Sequence, residues 1–391
     1  MQEKIKRIAL ASVSEIVEIR RHFHRYPELS GQETETGRHI MRKLEEWGIS
    51  CSGGWSKTGV VGVIEGRNPR SRCVALRADM DALPIEERTG LAFASRNKGV
   101  MHACGHDAHM ACLLGAAKIL QALRDEFEGT VKLLFQPSEE DYGGGAPQMI
   151  AQGVLKDPVP DRIYALHVMP ELECGKVGVR SGRYMASTDE IHIKAIGKGG
   201  HGAMPGRTVD TVLMSAYILT GLQQVVSRQA PAEIPTVLSF GRIIGEGQTN
   251  VIPAEVVMAG TFRTFDEEWR VKAHESIRRC ARGMAESMGG RCEIDIRQGY
   301  PSLYNTPEVA ERVRKAAAGV VGGRNVEDLP IRMTADDFAF YAREIPGCMF
   351  RLGVKPSGLS EPSDLHTATL TIDEEALSTG AQVMAALGAS A

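Results

Sequence analysis

The stretch HDAHMACLLGAAKILQALRDEFEGTVKLLFQP, residues 106–137, joins a helix pattern to a strand pattern. Its first half carries apolar residues at helical spacing, which predicts a helix over about 107–123. These residues are Met110, Leu113, Leu114, Ala117 and Leu120. The run at 131–135 that follows is short and apolar and stops before Pro137, which is typical of a buried strand. A helix that leads into a buried strand indicates an α/β layer.

The same alternation extends outward in both directions along the chain. Further strands are predicted at 60–64, 73–78, 163–168 and 349–353. Further helices are predicted at 2–25, 34–48, 307–321 and 373–387. Strands that alternate with helices predict an α/β domain whose mixed, largely parallel sheet is flanked by helices.

A different pattern interrupts this domain at 185–297. The strands here alternate apolar and polar residues, as half-buried strands do. In chain order the predicted elements are a strand at 190–195, a helix at 208–228, strands at 235–244 and 254–263, a helix at 267–288 and a strand at 292–296. This β-α-β-β-α-β order is that of a ferredoxin-like unit. We therefore expect a discontinuous first domain, 1–184 and 298–391, with a second domain inserted at 185–297.

Composition excludes several classes of protein. The 391 residues carry a formal charge of −3, whereas nucleic-acid binders usually show a strongly basic domain or stripe. No run of 18 apolar residues predicts a membrane span, and the charged N-terminal region is unlike a signal peptide. The 8 cysteines are too sparse for a disulfide framework. These observations predict a cytoplasmic protein with reduced thiols.

Potential metal ligands cluster where helices begin and strands end. The segment MHACGHDAHMA, 101–111, holds Cys104 and His106 where the predicted helix begins. Glu139 and Glu140 directly follow one strand, and His167 lies at the end of another. Asp79 and Asp81 end a third strand in the same way. Ligands bind at the carboxyl ends of strands in open α/β sheets, so the donors are expected to meet there.

Each donor also has a structural explanation. The Cys-x-His pair could be a polar helix cap, the two glutamates exposed acids, His167 a core histidine and the aspartates a helix cap. The convergence of all of them favours a metal site, because buried ionic groups need partners. Adjacent glutamates suit a division of labour in which one binds metal and the other accepts a proton from metal-bound water. That chemistry hydrolyses an amide or ester.

Further motifs extend the pattern over nearly the whole chain, from HRYPELSGQETET at 24–36 to SDLHTA at 363–368. Between these ends lie DMDALP (79–84), QPSEE (136–140), GKGGHGAMP (197–205), QTNVIP (248–253), GTFRTFD (260–266) and MTADDFAFY (333–341). In combination with MHACGHD, these motifs resemble the aminoacylase/carboxypeptidase metallohydrolases. The resemblance is strongest to the amidohydrolase branch, which includes hippurate hydrolases, N-acyl-amino-acid deacylases and indoleacetyl-amino-acid hydrolases.

The resemblance implies a role for each matching residue. The implied metal ligands are Cys104, His106, Glu140, His167 and His366, with Cys104 between two ions. Glu139 matches the general base, and His201 matches a lid histidine that stabilises the oxyanion, in some relatives across a dimer. Asn250 and Arg263 match residues that hold the substrate, although Arg263 could equally be an exposed strand residue in an ion pair. Asp79 and Asp81 are implied to orient ligands.

Two further histidines of the 101–111 segment, His102 and His109, are not expected to bind metal; a helix-cap or supporting role is expected instead. The lid loop reads HGAMPGRT, where this branch usually has His-Ala-Ala-x-Pro-His. Because no implied ligand is lost by this departure, it bears on substrate choice and leaves the chemistry unchanged.

The resemblance therefore implies a metal-dependent amidohydrolase that cleaves N-acyl amino acids by attack of metal-bound hydroxide. Two divalent ions per subunit are expected, Mn or Zn, with Co or Ni also suited to the ligand set. We expect a homodimer formed through the inserted lid domain, and neither nucleic acid nor membrane as a partner. A dipeptidase or carboxypeptidase on the same scaffold, or a non-catalytic metal-binding protein, are the alternatives.

Overall fold

The computed structural model describes residues 1–356, 358 and 363–390. Its strands are Ser50–Trp55 (β1), Gly59–Glu65 (β2), Cys73–Asp79 (β3), Thr130–Gln136 (β4), Arg162–Glu173 (β5), Val177–Val179 (β6), Gly182–Met185 (β7), Asp189–Ile196 (β8), Gly200–His201 (β9), Thr236–Ile244 (β10), Val251–Ile252 (β11), Glu255–Thr264 (β12), Arg291–Gln298 (β13), Leu303–Asn305 (β14), Val326–Asp328 (β15) and Gly347–Lys355 (β16). The α-helices are Gln2–Arg25 (α1), Thr34–Glu46 (α2), His106–Ala122 (α3), Ala146–Ala151 (α4), Thr211–Gln224 (α5), Glu267–Ser287 (α6), Pro307–Val321 (α7), Phe338–Glu344 (α8) and Ala376–Ala389 (α9).

The chain divides into two compact units. Unit 1 comprises Met1–Arg183, Tyr304–Ile331 and the chain from Asp337 onward. Unit 2 comprises Tyr184–Leu303 together with Arg332–Asp336. The sequence does not anticipate this last short piece, because it has no apolar periodicity of its own.

Unit 1 is built on an eight-stranded sheet in the order β1-β2-β4-β3-β5-β16-β6-β15. The inner strands β4, β3, β5 and β16 run parallel, whereas β1 and β2 are antiparallel to their neighbours. Every residue of β3 and β4 is buried, so both faces of the sheet are covered there. The prediction of a mixed, largely parallel sheet flanked by helices is confirmed.

A large hydrophobic cluster joins α1, α2, α3, α7 and α9 to this sheet. Val74, Leu76 and Ala78 of β3 point into it, because they share one face of the strand. Ala75, Arg77 and Asp79 therefore occupy the other face. This alternation places one buried arginine and one buried aspartate beside the carboxyl ends of the parallel strands.

Unit 2 contains a four-stranded antiparallel sheet in the order β10-β12-β8-β13. Helix α5 follows β8 and helix α6 follows β12, which gives the element order β-α-β-β-α-β. Buried residues of both helices pack with Ile191, Ile193, Leu238, Met258 and Phe262 of the sheet. The side chains of β8, β10 and β12 that alternate with these lie on the opposite face of the sheet.

Two elements depart from the predicted boundaries near functional residues. The sequence predicts His167 at a strand end, but β5 continues to Glu173 because it remains paired with β16 beyond its last pair with β3. Helix α5 begins at Thr211, where Asp210 accepts a hydrogen bond from the Leu213 N–H. Among the described residues, the helices are too short or too polar to cross a bilayer.

Candidate functional site

Cys104 and His106 are held at the start of α3 by a glycine turn. Gly105 has φ +85, a conformation that L side chains rarely adopt, and a Cβ atom there would lie 2.5 Å from Cγ2 of Val168. Cys104 and His106 are both buried. The glycine thus lets the chain turn tightly against β5, with the donor side chains of Cys104 and His106 on either side of the turn.

The two buried ligand histidines have fixed tautomers. Nδ1 of His106 donates to the carbonyl oxygen of Asp81 at 2.8 Å, and among the described residues its buried Nε2 has no hydrogen-bond partner. Nδ1 of His167 donates to the Val168 carbonyl at 2.7 Å, and its Nε2 lies 3.6 Å from Cys104 Sγ. In both rings Nδ1 is bonded to the backbone and Nε2 is the nitrogen that faces the other donors, as a metal ligand requires.

Glu140 and His366 complete the cluster. His366 Nε2 lies 3.1 Å from Glu140 Oε1, and this carboxylate oxygen is 3.9 Å from His106 Nε2. The backbone of His366 has φ +59, and its N–H donates to the Ala103 carbonyl at 2.7 Å. Non-glycine residues in this conformation concentrate at functional sites.

These five side chains form overlapping groups whose donor atoms lie within 4.8 Å of one another. One group is Cys104, His106 and His167, and a second is Cys104, Glu140 and His366. Glu139 joins His106 and Glu140 in a third. Cys104 belongs to both of the first two groups, and the buried Nε2 of His106 has no hydrogen-bond partner in the described ranges, so the residues fit a centre with a shared thiolate.

The charges of the cluster also favour a cation. Burial, followed by the Glu140 carboxylate, raises the pKa of the Cys104 thiol. The Cys104 and Glu140 side chains raise the pKa of His366 to about 10. A divalent ion that binds these side chains would displace protons from them.

Asp81 touches the ligands without lying in any of the donor groups above. Its Oδ2 accepts from Ser30 Oγ at 2.6 Å and from the Glu140 N–H at 2.8 Å. Its carbonyl oxygen is the acceptor that orients His106. Burial raises the pKa of Asp81, but its contacts with His106 and Ser30 outweigh burial and lower it. This carboxylate is therefore ionised and orients two ligands.

Asp79 lies in a second buried network. Its Oδ2 accepts from Arg77 Nη1 at 2.7 Å, and its Oδ1 lies 2.5 Å from Nδ1 of His109. Arg77 also donates hydrogen bonds from Nη2 to Asp337 Oδ1 at 2.7 Å and from Nε to Gln136 Oε1 at 2.9 Å. Burial raises the pKa of Asp79, but His106, His109 and Arg77 outweigh it, so the pKa lies well below its usual value.

Sequence reasoning missed several residues that support the site. The fully buried Glu33 accepts from the Ser138 N–H at 2.8 Å and from Thr58 Oγ1 at 2.7 Å, so it holds the loop that leads into Glu139. Burial raises the pKa of Glu33. Glu33 and Ser30 both lie in the YPELSGQE stretch, whose density of turn residues was the signal available. Asp337 lies in the MTADDFAFY motif, but neither it nor Arg77 was assigned a role, because charged residues are usually exposed.

His102 does not cap a helix through its ring. Within the described part of the chain, both ring nitrogens are buried without a hydrogen-bond partner, and burial lowers the pKa of His102 to about 4. Of the two roles expected for this residue, helix cap or support, the helix cap is therefore wrong, because an isolated sequence pattern does not reveal which backbone groups a side chain reaches.

The predicted lid residues lie in unit 2. His201 is on β9, which pairs with β11, and the Gly202 N–H donates to the Asn250 carbonyl at 2.8 Å. This two-stranded ribbon therefore brings His201 and Asn250 together, and both are exposed. The His201 ring accepts from the Ala203 N–H through Nδ1 at 3.1 Å.

Arg263 lies on β12 and is half-buried. Its Nη1 donates to Thr261 Oγ1 and to the Phe262 carbonyl. No carboxylate in the described part of the chain lies within ion-pair distance of it, so the ion-pair alternative is wrong. Burial lowers the pKa of Arg263. A half-buried guanidinium without a counterion is suited to an anionic ligand.

Comparison with known proteins identifies the family. Residues 75–389 match the model of peptidase family M20/M25/M40. The chain belongs to this family. The resemblance to the aminoacylase/carboxypeptidase metallohydrolases is therefore confirmed.

Relatives cover nearly the whole chain. An N-acyl-L-amino acid amidohydrolase of Geobacillus stearothermophilus is 42% identical over 307 residues, 78% of this chain and 82% of that protein. Thermostable carboxypeptidase 1 of Saccharolobus solfataricus is 38% identical over 390 residues, 98% of this chain and 97% of that protein. The crystal structure of the Bacillus subtilis YXEP protein, a dinuclear metal-binding peptidase of family M20, has 35% identity and a TM-score of 0.82, covering 97% of this chain and 98% of that one.

Proposed function

We propose that the protein is a metal-dependent amidohydrolase that cleaves N-acyl amino acids into a carboxylic acid and a free amino acid. The observation that carries the proposal is the donor cluster around Cys104, with Glu139 beside it. A purely structural metal site needs no additional carboxylate, whereas hydrolysis needs a base beside the ligands. The name of the Geobacillus relative supports the substrate class.

The metal centre in this proposal holds two divalent ions per subunit, Zn or Mn, with Co and Ni also suited to the donors. Cys104, His106 and His167 would hold one ion, and Cys104, Glu140 and His366 the other. Bound ions of this kind lower the pKa of water and polarise a carbonyl oxygen.

The protein's own residues carry the remaining steps. Glu139 accepts the proton of the attacking water and delivers it to the nitrogen of the leaving amine, so the carboxylate is regenerated. His201 donates a hydrogen bond to the oxyanion of the tetrahedral intermediate. Arg263 holds the α-carboxylate with charge-assisted hydrogen bonds, and Asn250 contributes a polar contact to the substrate.

A carboxypeptidase or dipeptidase activity is the second candidate. It is favoured by the Saccharolobus relative, which is named a carboxypeptidase. The two activities use the same ligands and the same carboxylate contact, and differ only in the group on the far side of the scissile amide.

The test compares N-acetyl, N-benzoyl and indoleacetyl amino acids with dipeptides, each with Zn or Mn added. Glu139→Gln should retain both ions and lose nearly all turnover, because the amide cannot accept the proton. Glu86→Gln, which alters an exposed glutamate of the same unit, is the matched control and should retain activity. Failure of the metal-loaded protein to hydrolyse any substrate would favour the non-catalytic alternative.

We also propose a homodimer formed through unit 2, in the cytoplasm. Helix α5 supports the dimer, because Val212, Leu213 and Tyr217 are 49%, 49% and 58% exposed on it. The eight cysteines, all of them described, are unpaired, as in reducing compartments.

Light scattering should give twice the chain mass, and Tyr217→Asp should shift it toward the monomer. If His201 acts across the dimer, mixed His201→Ala and Glu139→Gln subunits should recover activity. A monomeric wild-type protein would refute the dimer.

A further inference from the structure

His109 lies between two of the ligand histidines. Its ring centroid is 5.3 Å from that of His106 and 4.5 Å from that of His167, and all three rings are buried. It also belongs to a group with Asp79 and His106 whose donor atoms are close enough to hold an ion. Its location is therefore compatible either with a ligand or with a residue that positions ligands.

The hydrogen bonds of His109 decide between these roles. The Val168 N–H donates to Nε2 at 2.9 Å, so Nε2 carries a lone pair and no proton. Nδ1 then carries the proton and donates it to Asp79 Oδ1 at 2.5 Å. Since both ring nitrogens are engaged with protein atoms, neither is available to an ion.

These bonds join three elements that carry the cluster. His109 is on α3, one turn after His106; Asp79 ends β3; and Val168 follows His167 on β5. The Val168 peptide is held on both sides, since its N–H donates to His109 and its carbonyl accepts from His167 Nδ1. A displacement of His109 would therefore move the peptide that orients the His167 ring.

We propose that His109 is a positioning residue, which sets the distance between the Cys104–His106 turn and His167 and so determines the affinity of the centre for its ions. This inference rests on the proposed metal centre but does not depend on the substrate. His109 itself binds no ion. Removal of its ring should weaken ion binding because two hydrogen bonds that align a ligand are lost.

Ion binding by the purified full-length chain tests the inference. Zn²⁺ affinity is measured by chelator competition, and the bound ions are counted. His109→Phe, which keeps a ring and removes both hydrogen bonds, should weaken affinity about 10–100-fold, the usual effect of removing a residue that orients a ligand, while the number of ions stays unchanged. His109→Gln, whose amide oxygen can still accept from Val168, should lie between His109→Phe and wild type.

His102→Phe is the matched control. His102 is equally buried and lies two residues before Cys104, but its ring nitrogens make no hydrogen bond to any residue that the structure describes. This variant should retain wild-type affinity, because only ring volume is replaced. The Co²⁺ absorption spectrum should change in His109→Phe and not in His102→Phe, since it reports the geometry of the ligands.

Three results would overturn the proposal. Wild-type affinity in His109→Phe would show that the ring positions nothing, and loss of one ion in that variant alone would make His109 a ligand. An equal loss of affinity in His102→Phe would mean that any change of buried volume has the same effect. If wild-type protein binds no ion, both this inference and the proposed function fail, whereas the first three results leave the proposed function intact. Should His109→Phe not fold, His109→Gln carries the comparison.

Discussion

Substitution of Gly105 by alanine should destabilise unit 1 by more than backbone strain alone explains. The left-handed conformation at φ +85 costs an alanine roughly 1–2 kcal/mol. The new Cβ would lie 2.5 Å from Val168 Cγ2, an overlap inside a buried region that costs about 1–3 kcal/mol. Loss of backbone freedom in the unfolded chain offsets about 0.4–1 kcal/mol. The expected net destabilisation is about 1–5 kcal/mol, with a central value of about 3 kcal/mol, from these same contributions.

Gly175 provides the matched control for this prediction. It has φ +87, nearly the same conformation, but a Cβ atom added there would meet no atom of the described residues within 4 Å. Gly175→Ala should therefore cost only about 1 kcal/mol, the strain less the entropy offset. The difference between the two variants isolates the contact with Val168. Adding Val168→Ala to Gly105→Ala should reduce this difference in a double-mutant cycle.

Urea unfolding of chelator-treated protein measures these effects without a contribution from ion binding. Trp47 and Trp55 lie in unit 1 and Trp269 in unit 2, so a Trp269→Phe background makes tryptophan fluorescence report on unit 1. If Gly105→Ala is no more destabilising than Gly175→Ala, or if Val168→Ala leaves the excess unchanged, the close approach of the turn to β5 is not what requires glycine.

Three further predictions concern charged groups. Arg263→Met should raise KM about 10–100-fold for substrates with a free carboxylate, since a charge-assisted hydrogen bond contributes about 1.5–3 kcal/mol. The variant should leave KM for the corresponding methyl esters unchanged. Equal effects on acids and esters would mean that Arg263 does not bind the carboxylate. Arg20→Met should destabilise unit 1 by about 3–5 kcal/mol in urea, because it removes the guanidinium that lies 2.7 Å from the buried Asp107 carboxylate and leaves His24 as the remaining partner of that carboxylate. A loss comparable to that of an exposed arginine such as Arg38 would contradict this. Burial lowers the pKa of His24, but hydrogen bonds to Asp107 and Glu87 outweigh burial and raise it. The contribution of His24 to the free energy of unfolding is therefore complete below pH about 6.5 and is lost as the pH rises through the folded-state pKa. His24→Gln should flatten this pH dependence of stability, and an unchanged slope would refute the reasoning.

The core elements of the fold could be predicted because their signals are local. The helix from His106 to Ala122 and the strand Thr130–Gln136 fall within one or two residues of the predicted ranges, since a helix face and a buried strand each leave a short repeating pattern. The short strands β6, β9, β11 and β15 left no pattern of their own. Two or three residues are too few to show a period, and their pairing partners are distant in sequence.

The sequence predicted the donor residues of the candidate site and their convergence at the strand ends, but not the residues that hold those donors in place. Residues such as Cys104 and Glu140 stand beside recognisable helix starts and strand ends, so their chemistry can be read along the chain. Their hydrogen-bond partners cannot, because Asp81 and Ser30 are 51 residues apart and Glu33 and Ser138 are 105 apart. Contacts over such separations depend on how the strands are ordered in the sheet.

By itself, the sequence determined the α/β class, the β-α-β-β-α-β order of the inserted segment and the kinds of side chain that could bind a metal. These follow from periodicity and residue chemistry, which act over a few neighbouring residues. Only the tertiary structure decided that both ring nitrogens of His109 bond protein atoms. It also decided that, among the described residues, the ring of His102 bonds none and Arg263 has no carboxylate within ion-pair distance. The physical reason is that hydrogen bonding and burial belong to the space around a side chain, which is filled by residues from distant parts of the chain.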